Sequence, residues 1–282
     1  VASFEGSLVA IVTPFQGDAL DVDALRSLVE WHAVSGTSGI VVAGTTGEGA
    51  TLHPEEREAI CRHTLAAAKG RCAVIAGTGT NATWSTVQYT RAAVQWGVDG
   101  MLVVTPYYNK PPQEGLFRHF EAAARAAGGR PVIAYDVPGR TCVTIQEETV
   151  KRIARIPGIV ALKDATGDDE RVGRLANVLT VLAGDDASTL AQMRRGAKGV
   201  ISVAANVVPG KIARLCRDRD ERLHEELTPL FKALFIDTNP IPVKFALARM
   251  GRIRNDLRLP LVPLRADHEP QVVDALRRAG AL

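Results

Sequence analysis

Apolar residues along this chain fall in short runs that recur every twenty to thirty positions. The runs are LVAIVTP (8–14), GIVVAGT (39–45), CAVIAGT (72–78), GMLVVTP (100–106), PVIAYDV (131–137), GIVALKD (158–164), LTVLAGD (179–185) and GVISVAA (199–205). None alternates strictly between apolar and polar, as expected of parallel strands covered on both faces. Helical patterns lie between them. His53-Pro54-Glu55-Glu56 places a proline and acids in a first turn, Ala59, Ile60 and Leu65 follow at helical spacing, and Gly70 ends the segment. Thr83 to Trp96 repeats the pattern and stops at Gly97. Strands alternating with helices make βαβ units and a parallel sheet. Eight of them predict a closed (β/α)8 TIM barrel, with a doubly wound open sheet as the alternative. Beyond residue 206 only helical patterns remain. The expected organisation is therefore 1–206 for the barrel strands and most barrel helices, and 207–282 for the last barrel helix and a C-terminal helical extension.

Composition adjusts this picture little. A length of 282 residues suits one α/β barrel. A net charge of +3 gives no ground for a nucleic-acid or membrane partner. The most basic stretch, KIARLCRDRDER (211–222), interleaves arginine with acids and reads as a solvated helix face. Cys61, Cys72, Cys142 and Cys216 form no CxxC pair or disulfide framework, which fits a reducing cytoplasm. The first apolar run is short and no Lys or Arg precedes Arg26, so neither a signal peptide nor a membrane span is expected there.

A barrel carries its active site at the C-terminal ends of its strands. Those ends read GTTGEG (44–49), TPYYNKPP (105–112), YDVPGRT (135–141), Lys163 and AGDD (183–186). Three of the four tyrosines, Tyr107, Tyr108 and Tyr135, fall among them. The lysine is the telling residue, since lysine is almost never fully buried without a partner and here it follows the apolar run Ile159–Leu162. A partly desolvated amine loses affinity for its proton and can attack a carbonyl to form a Schiff base. A neighbouring tyrosine or threonine can move the protons that step needs, and an arginine can grip a carboxylate through two hydrogen bonds. These residues predict a lysine-dependent aldolase acting on a keto acid.

Other signals are weaker. GTGTNA (77–82) imitates a dinucleotide-binding turn, but no acid ends the next strand. The six histidines show no metal-ligand spacing, so neither metal nor cofactor is expected; His32 and His63 read as structural or exposed helix residues. Asp185-Asp186 could hold a cation, and reads equally as a helix N-cap and first-turn acid.

In their order, GSLVAIVTPF (6–15), GTTGEGATL (44–52), TPYYNKP (105–111), YDVPGRT (135–141), LKDATGD (162–168), AGDDA (183–187), GVISVAANV (199–207), TNPIPVK (238–244) and LRLPLVPL (257–264) resemble the dihydrodipicolinate synthase family, also called 4-hydroxy-tetrahydrodipicolinate synthase. The family belongs to a pyruvate-lyase group that includes N-acetylneuraminate lyase, and the likeness spans essentially the whole chain. The resemblance implies a TIM barrel with extra C-terminal helices in a homotetramer, a dimer of dimers. It implies condensation of pyruvate with L-aspartate 4-semialdehyde. Lys163 would form the Schiff base, with Tyr135, Thr45 and Tyr108 as the proton relay, Tyr108 crossing from the partner subunit. Thr46, Ile201 and Gly184 match pyruvate-binding positions, and Arg140 matches the arginine that receives the aldehyde's carboxylate.

Several positions depart from the family pattern. Asp136 and Gly139 stand where many relatives have Asn and Ser, and Cys142-Val143 where Gly-Cys is common. In the regulatory site that binds L-lysine in inhibited relatives, Asn81, Tyr107 and Ala50 match. Pro54 and Arg57 replace histidines, and Ser85 replaces a glutamate. The expectation is weak or absent feedback inhibition by lysine. Two alternatives remain from sequence: a lyase for a sialic or sugar acid, which the presence of Arg140 disfavours, and a non-catalytic keto-acid sensor, which the intact Lys163, Tyr135, Thr45 and Tyr108 disfavour.

Overall fold

Eight parallel strands close into a barrel in the computed structural model, which describes residues 4–282. They are β1 Gly6–Ala10, β2 Gly39–Val42, β3 Ala73–Gly77, β4 Gly100–Val104, β5 Val132–Asp136, β6 Ile159–Asp164, β7 Thr180–Ala183 and β8 Gly199–Ser202. Each pairs with the next, and β8 returns to β1. All eight apolar runs become strands, and the closed barrel replaces the open-sheet alternative. Except in β6, the hydrogen-bonded ladders stop before the quoted runs do, so residues such as Thr45 and Thr105 lie just past their strands.

Period-two alternation along the strands explains both layers of the core. Leu8, Val41, Ile75, Leu102, Ile133, Ala161, Leu182 and Ile201 point inward and fill the barrel, with Phe4 among them. Their neighbours, such as Val9, Val42, Val103, Ala134 and Leu162, join the larger core between strands and helices. Helices α1 Val22–Val34, α2 Pro54–Ala68, α3 Thr83–Trp96, α4 Gln113–Ala126, α5 Glu147–Ile153, α6 Asp169–Leu175, α7 Thr189–Arg194 and α8 Pro209–Asp218 follow the eight strands in turn. α2 has Pro54 at its first position, as its sequence predicts, and is capped by Lys69 in the left-handed region just before Gly70; α3 is closed by Gly97 at φ 91°.

The chain then adds α9 Glu221–Ala233, α10 Ile241–Arg249 and α11 Glu269–Arg278. Their buried residues Leu227, Leu230, Phe245, Leu247, Val272 and Leu276 belong to the same core as the barrel helices. The basic stretch at 211–222 is a solvated face: Arg214 pairs with Asp220 at 2.5 Å, Arg217 with Asp218 at 2.8 Å and Lys211 with Glu226 at 2.5 Å, all at the surface. No helix among the described residues is long and apolar enough to cross a membrane.

Candidate active site at the C-terminal rim of the barrel

Alternation decides which groups enter the barrel mouth. Tyr135 lies two residues past Ile133 and Lys163 two past Ala161, so both continue the inward-facing rows of β5 and β6. They are paired partners in the ladder. The Lys163 Nζ lies 4.2 Å from the centroid of the Tyr135 ring. Lys163 is only 6% exposed. Burial pushes its amine down to about 8, against the attraction of the Asp186 carboxylate and with help from the positive charge of Arg140. The fall from an ordinary 10.5 to about 8 multiplies the free amine at neutral pH by roughly 300. Tyr135 moves the opposite way: burial pushes its phenol up to about 12, so it keeps its proton, and its hydroxyl is hydrogen-bonded to Thr45. An amine that gives up its proton more readily than usual, beside a protonated, hydrogen-bonded phenol, is the pairing that carbonyl addition requires.

A cavity of about 400 Å³ opens beside Tyr135, with Thr45, Arg140, Tyr107, Ala50 and Asn239 among its other lining residues. Arg140 follows β5 on a helical turn, Pro138–Thr141, and is solvent-exposed, with one Nη2 bond to the Asn239 carbonyl at 3.1 Å. Thr46 is buried, and its hydroxyl accepts from Asn239 Nδ2 at 3.1 Å. Ile201 lies in the barrel interior on β8, paired with Leu8. Gly184 follows β7 and donates its N–H to the Asp164 carbonyl at 2.7 Å. A Cβ there would fall 2.6 Å from the Cβ of Ala165, so only glycine lets the β7 and β6 loops close together.

Lys163, Thr46, Ile201, Gly184 and Asn81 do not themselves line this cavity, and nor does Tyr108, which is 87% exposed. Its φ of 74° and the bond from Asn109 N–H to the Tyr107 carbonyl at 2.9 Å make it the centre of a three-residue γ-turn. Such a turn holds the ring outward at a cost of about 1–3 kcal/mol. Asn81 lies next to this loop, where its carbonyl accepts from Asn109 Nδ2 at 2.9 Å. Arg57 is buried, bonded to the Gly77 carbonyl at 2.9 Å and to the Gly49 carbonyl, and its guanidinium lies over the Tyr89 ring at 4.4 Å.

Three supports escaped the sequence reading. Asp186 is neither the N-cap nor a first-turn acid of α7, a place Ser188 takes. Its carboxylate turns under β8 and accepts from the Ser202 hydroxyl at 2.5 Å and from the N–H groups of Val203 and Ala204 at 3.0 and 2.8 Å. Glu48, in the loop after β2 with φ 51°, reaches the buried Lys244 of α10 at 2.5 Å and the Arg258 N–H at 3.0 Å. Arg258 in turn grips Glu56 of α2 at 2.5 Å. The C-terminal extension thereby locks the loop that carries Thr45 and Thr46. Arg171 of α6 bridges two buried acids, Asp136 and Asp164. The motif TNPIPVK contains Asn239 and Lys244, but only the fold shows what they touch. Among the described residues, no three His, Cys, Asp or Glu side chains gather as a metal cluster.

Comparison with known proteins gives a consistent result. The dihydrodipicolinate synthetase family model matches residues 3–279. A 4-hydroxy-tetrahydrodipicolinate synthase of Alcanivorax borkumensis is 47% identical, with 98% of each chain covered. A dihydrodipicolinate synthase of Acinetobacter baumannii, crystallised in complex with pyruvate and described as chloride-inhibited, superposes with a TM-score of 0.97 at 42% identity, covering 99% of this chain and 100% of that one. The dihydrodipicolinate synthase of Aquifex aeolicus superposes with a TM-score of 0.95 at 43% identity, covering 99% of each chain.

Proposed function

Because the chain belongs to the dihydrodipicolinate synthetase family, we propose that Lys163 is the nucleophile of its reaction, with Tyr135 and Thr45 moving the protons. The enzyme is a 4-hydroxy-tetrahydrodipicolinate synthase, a lyase of lysine and diaminopimelate biosynthesis that condenses pyruvate with L-aspartate 4-semialdehyde. The free amine of Lys163 adds to the pyruvate ketone, and water leaves as the imine forms. Tyr135, hydrogen-bonded to Thr45, supplies the proton that carries the hydroxyl away. Loss of a methyl proton turns the imine into an enamine. Its carbon attacks the aldehyde, whose oxygen takes up a proton. The amino group of the second substrate then attacks the imine carbon, closes the ring and returns Lys163 as the free amine. Thr46, Ile201 and Gly184 hold the pyruvate carboxylate. Arg140, exposed at the cavity mouth, receives the carboxylate of the aldehyde through paired hydrogen bonds.

The observation that carries this assignment is the buried Lys163, its amine pushed down to about 8, lying 4.2 Å from the Tyr135 ring. Borohydride added with pyruvate is expected to fix a three-carbon adduct on Lys163 of the wild-type chain and none on Lys163→Ala. That variant should lose turnover by roughly 10³-fold or more while keeping its fold. A Lys163→Ala protein with near-normal turnover would refute the assignment. Pyruvate consumption should require L-aspartate 4-semialdehyde, and release of pyruvate from a sialic acid instead would move the enzyme to another branch of the lyase group.

Tyr108 fits a role in a neighbouring subunit's cavity, within a homotetramer built as a dimer of dimers. Its exposure and the strained turn that projects it support that reading. Four free cysteines, three of them buried, support a reducing compartment such as the cytoplasm.

A further inference from the structure

Two acids that face away from the cavity stand directly behind the reacting pair. Asp136 ends β5 and Asp164 ends β6, and they are ladder partners one rung beyond Tyr135 and Lys163. Alternation that turns Tyr135 and Lys163 into the barrel turns these acids outward, into the layer between strands and helices. Both are fully buried. One cation serves the two: Arg171 of α6 places Nη2 at 2.9 Å from Asp136 Oδ2 and Nε at 3.2 Å from Asp164 Oδ2. The acids also fasten their surroundings. Asp136 accepts from the Ile145 N–H at 3.0 Å, and Asp164 accepts from the Thr166 N–H at 3.0 Å and from its hydroxyl at 2.6 Å.

The cluster is short of positive charge. With both acids ionised it holds one more carboxylate than it has cations, and Asp136 Oδ1, Asp164 Oδ2 and Arg171 Nε form no hydrogen bond, the Arg171–Asp164 contact being an ion pair alone. The Arg171 Nη2 donates to Asp136 Oδ2, a bond that the ionised carboxylate holds more strongly than the neutral acid does. We propose that Asp136, Arg171 and Asp164 form a positioning unit that ties the ends of β5 and β6 to α6, sets Tyr135 against Lys163, and needs Asp136 ionised to do so. The proposal rests on the reading of Lys163 and Tyr135 as the reacting pair. The charged groups facing Asp136 are Arg171 from α6 and Asp164 from β6; the segment before α5 offers the Ile145 N–H, and Tyr135 lies beside it on its own strand. Burial pushes Asp136 up to about 6, opposed by Arg171 and the Ile145 N–H and reinforced by Asp164.

The dependence of kcat/KM for pyruvate on pH reports groups of the free enzyme. Lys163 must lose its proton, so log kcat/KM is expected to rise with unit slope below about 8. Asp136 adds a second proton to that limb, and the slope is expected to reach two below about 6. In Asp136→Asn the slope should stay at one throughout. Arg171→Met should lower kcat about tenfold or more, as small misplacements of reacting groups do, while the pyruvate KM moves less than about threefold, and borohydride trapping should slow in parallel. An Asp136→Asn profile that keeps the slope of two, or a folded Arg171→Met protein with wild-type kcat, overturns the proposal. Should Arg171→Met not fold, the Asp136→Asn profile decides alone. A wild-type chain that traps no pyruvate overturns the reading of Lys163 and this proposal with it; a wild-type adduct with variants indistinguishable from it overturns only the positioning unit.

Discussion

Arg57 shows how a single residue can set the charge of a cavity wall. It is buried in the wall of the cavity beside Tyr107 and Ala50, bonded only to backbone carbonyls, and its buried Nε has no partner. Burial depresses its guanidinium, and the groups that oppose the shift are Tyr89, Cys61 and Tyr107, none of them a carboxylate. A lysine ammonium entering here would meet a fixed positive charge, and Glu48, the acid in the cavity wall, is already paired with Lys244. We expect 1 mM L-lysine to leave steady-state turnover unchanged within about 20%, a repulsive like-charge approach in a dry site being unfavourable by the order of a kcal/mol or more; submillimolar inhibition would contradict this. At this scale the sequence points to Lys163 through context: a lysine after an apolar run ordinarily faces water, and the tyrosines, threonines and arginine at the other strand ends make this one count. It does not show Asp186 or Arg171, because a surface acid and a helix arginine look the same in sequence whether they point to water or turn inward toward partners many residues away.

At the scale of elements, the strands were legible and their fastenings were not. Continuous apolar runs mark strands buried on both faces, and the turn chemistry that follows marks the working rim. What holds the rim still is the return of the C-terminal extension onto the loop after β2. Lys244 and Glu48 are both essentially excluded from water and lie 2.5 Å apart. Removing one partner strands the other as a buried charge, so Lys244→Met is expected to lower the unfolding free energy by about 3–5 kcal/mol. Urea denaturation would measure it. A loss below about 1 kcal/mol would mean that water reaches Glu48 when Lys244 is gone. The helical patterns past residue 206 announced the extension, yet nothing in their spacing says which loop it holds, since that depends on how the extension packs across the barrel.

For the whole molecule, acid should loosen the fold through His32. It is fully buried in α1, bonded to the Thr37 hydroxyl at 3.0 Å, and burial, aided by Arg252, holds it down to about 3. The unfolded chain takes up that proton near pH 6.5 and the folded chain does not, so stability is complete above 6.5 and falls as pH drops toward 3. The slope from this group is about 1.4 kcal/mol per pH unit. In His32→Asn, which keeps a polar atom near Thr37, the fall between pH 6.5 and 4.5 should be shallower by up to that amount per unit. Unfolding midpoints at the two pH values would show it, and an unchanged slope would place the acid sensitivity elsewhere. The molecule also divides its labour between rigid and variable parts. Tyr135 and Lys163 share one rung of the barrel ladder, so neighbouring-strand spacing fixes their separation, whereas Arg140 sits on the connection after β5. Evolution can therefore rewrite the loop that carries Arg140, by lengthening or recharging it, without disturbing the rung that holds Lys163. One scaffold can acquire new acceptors while its nucleophile stays where the sheet puts it.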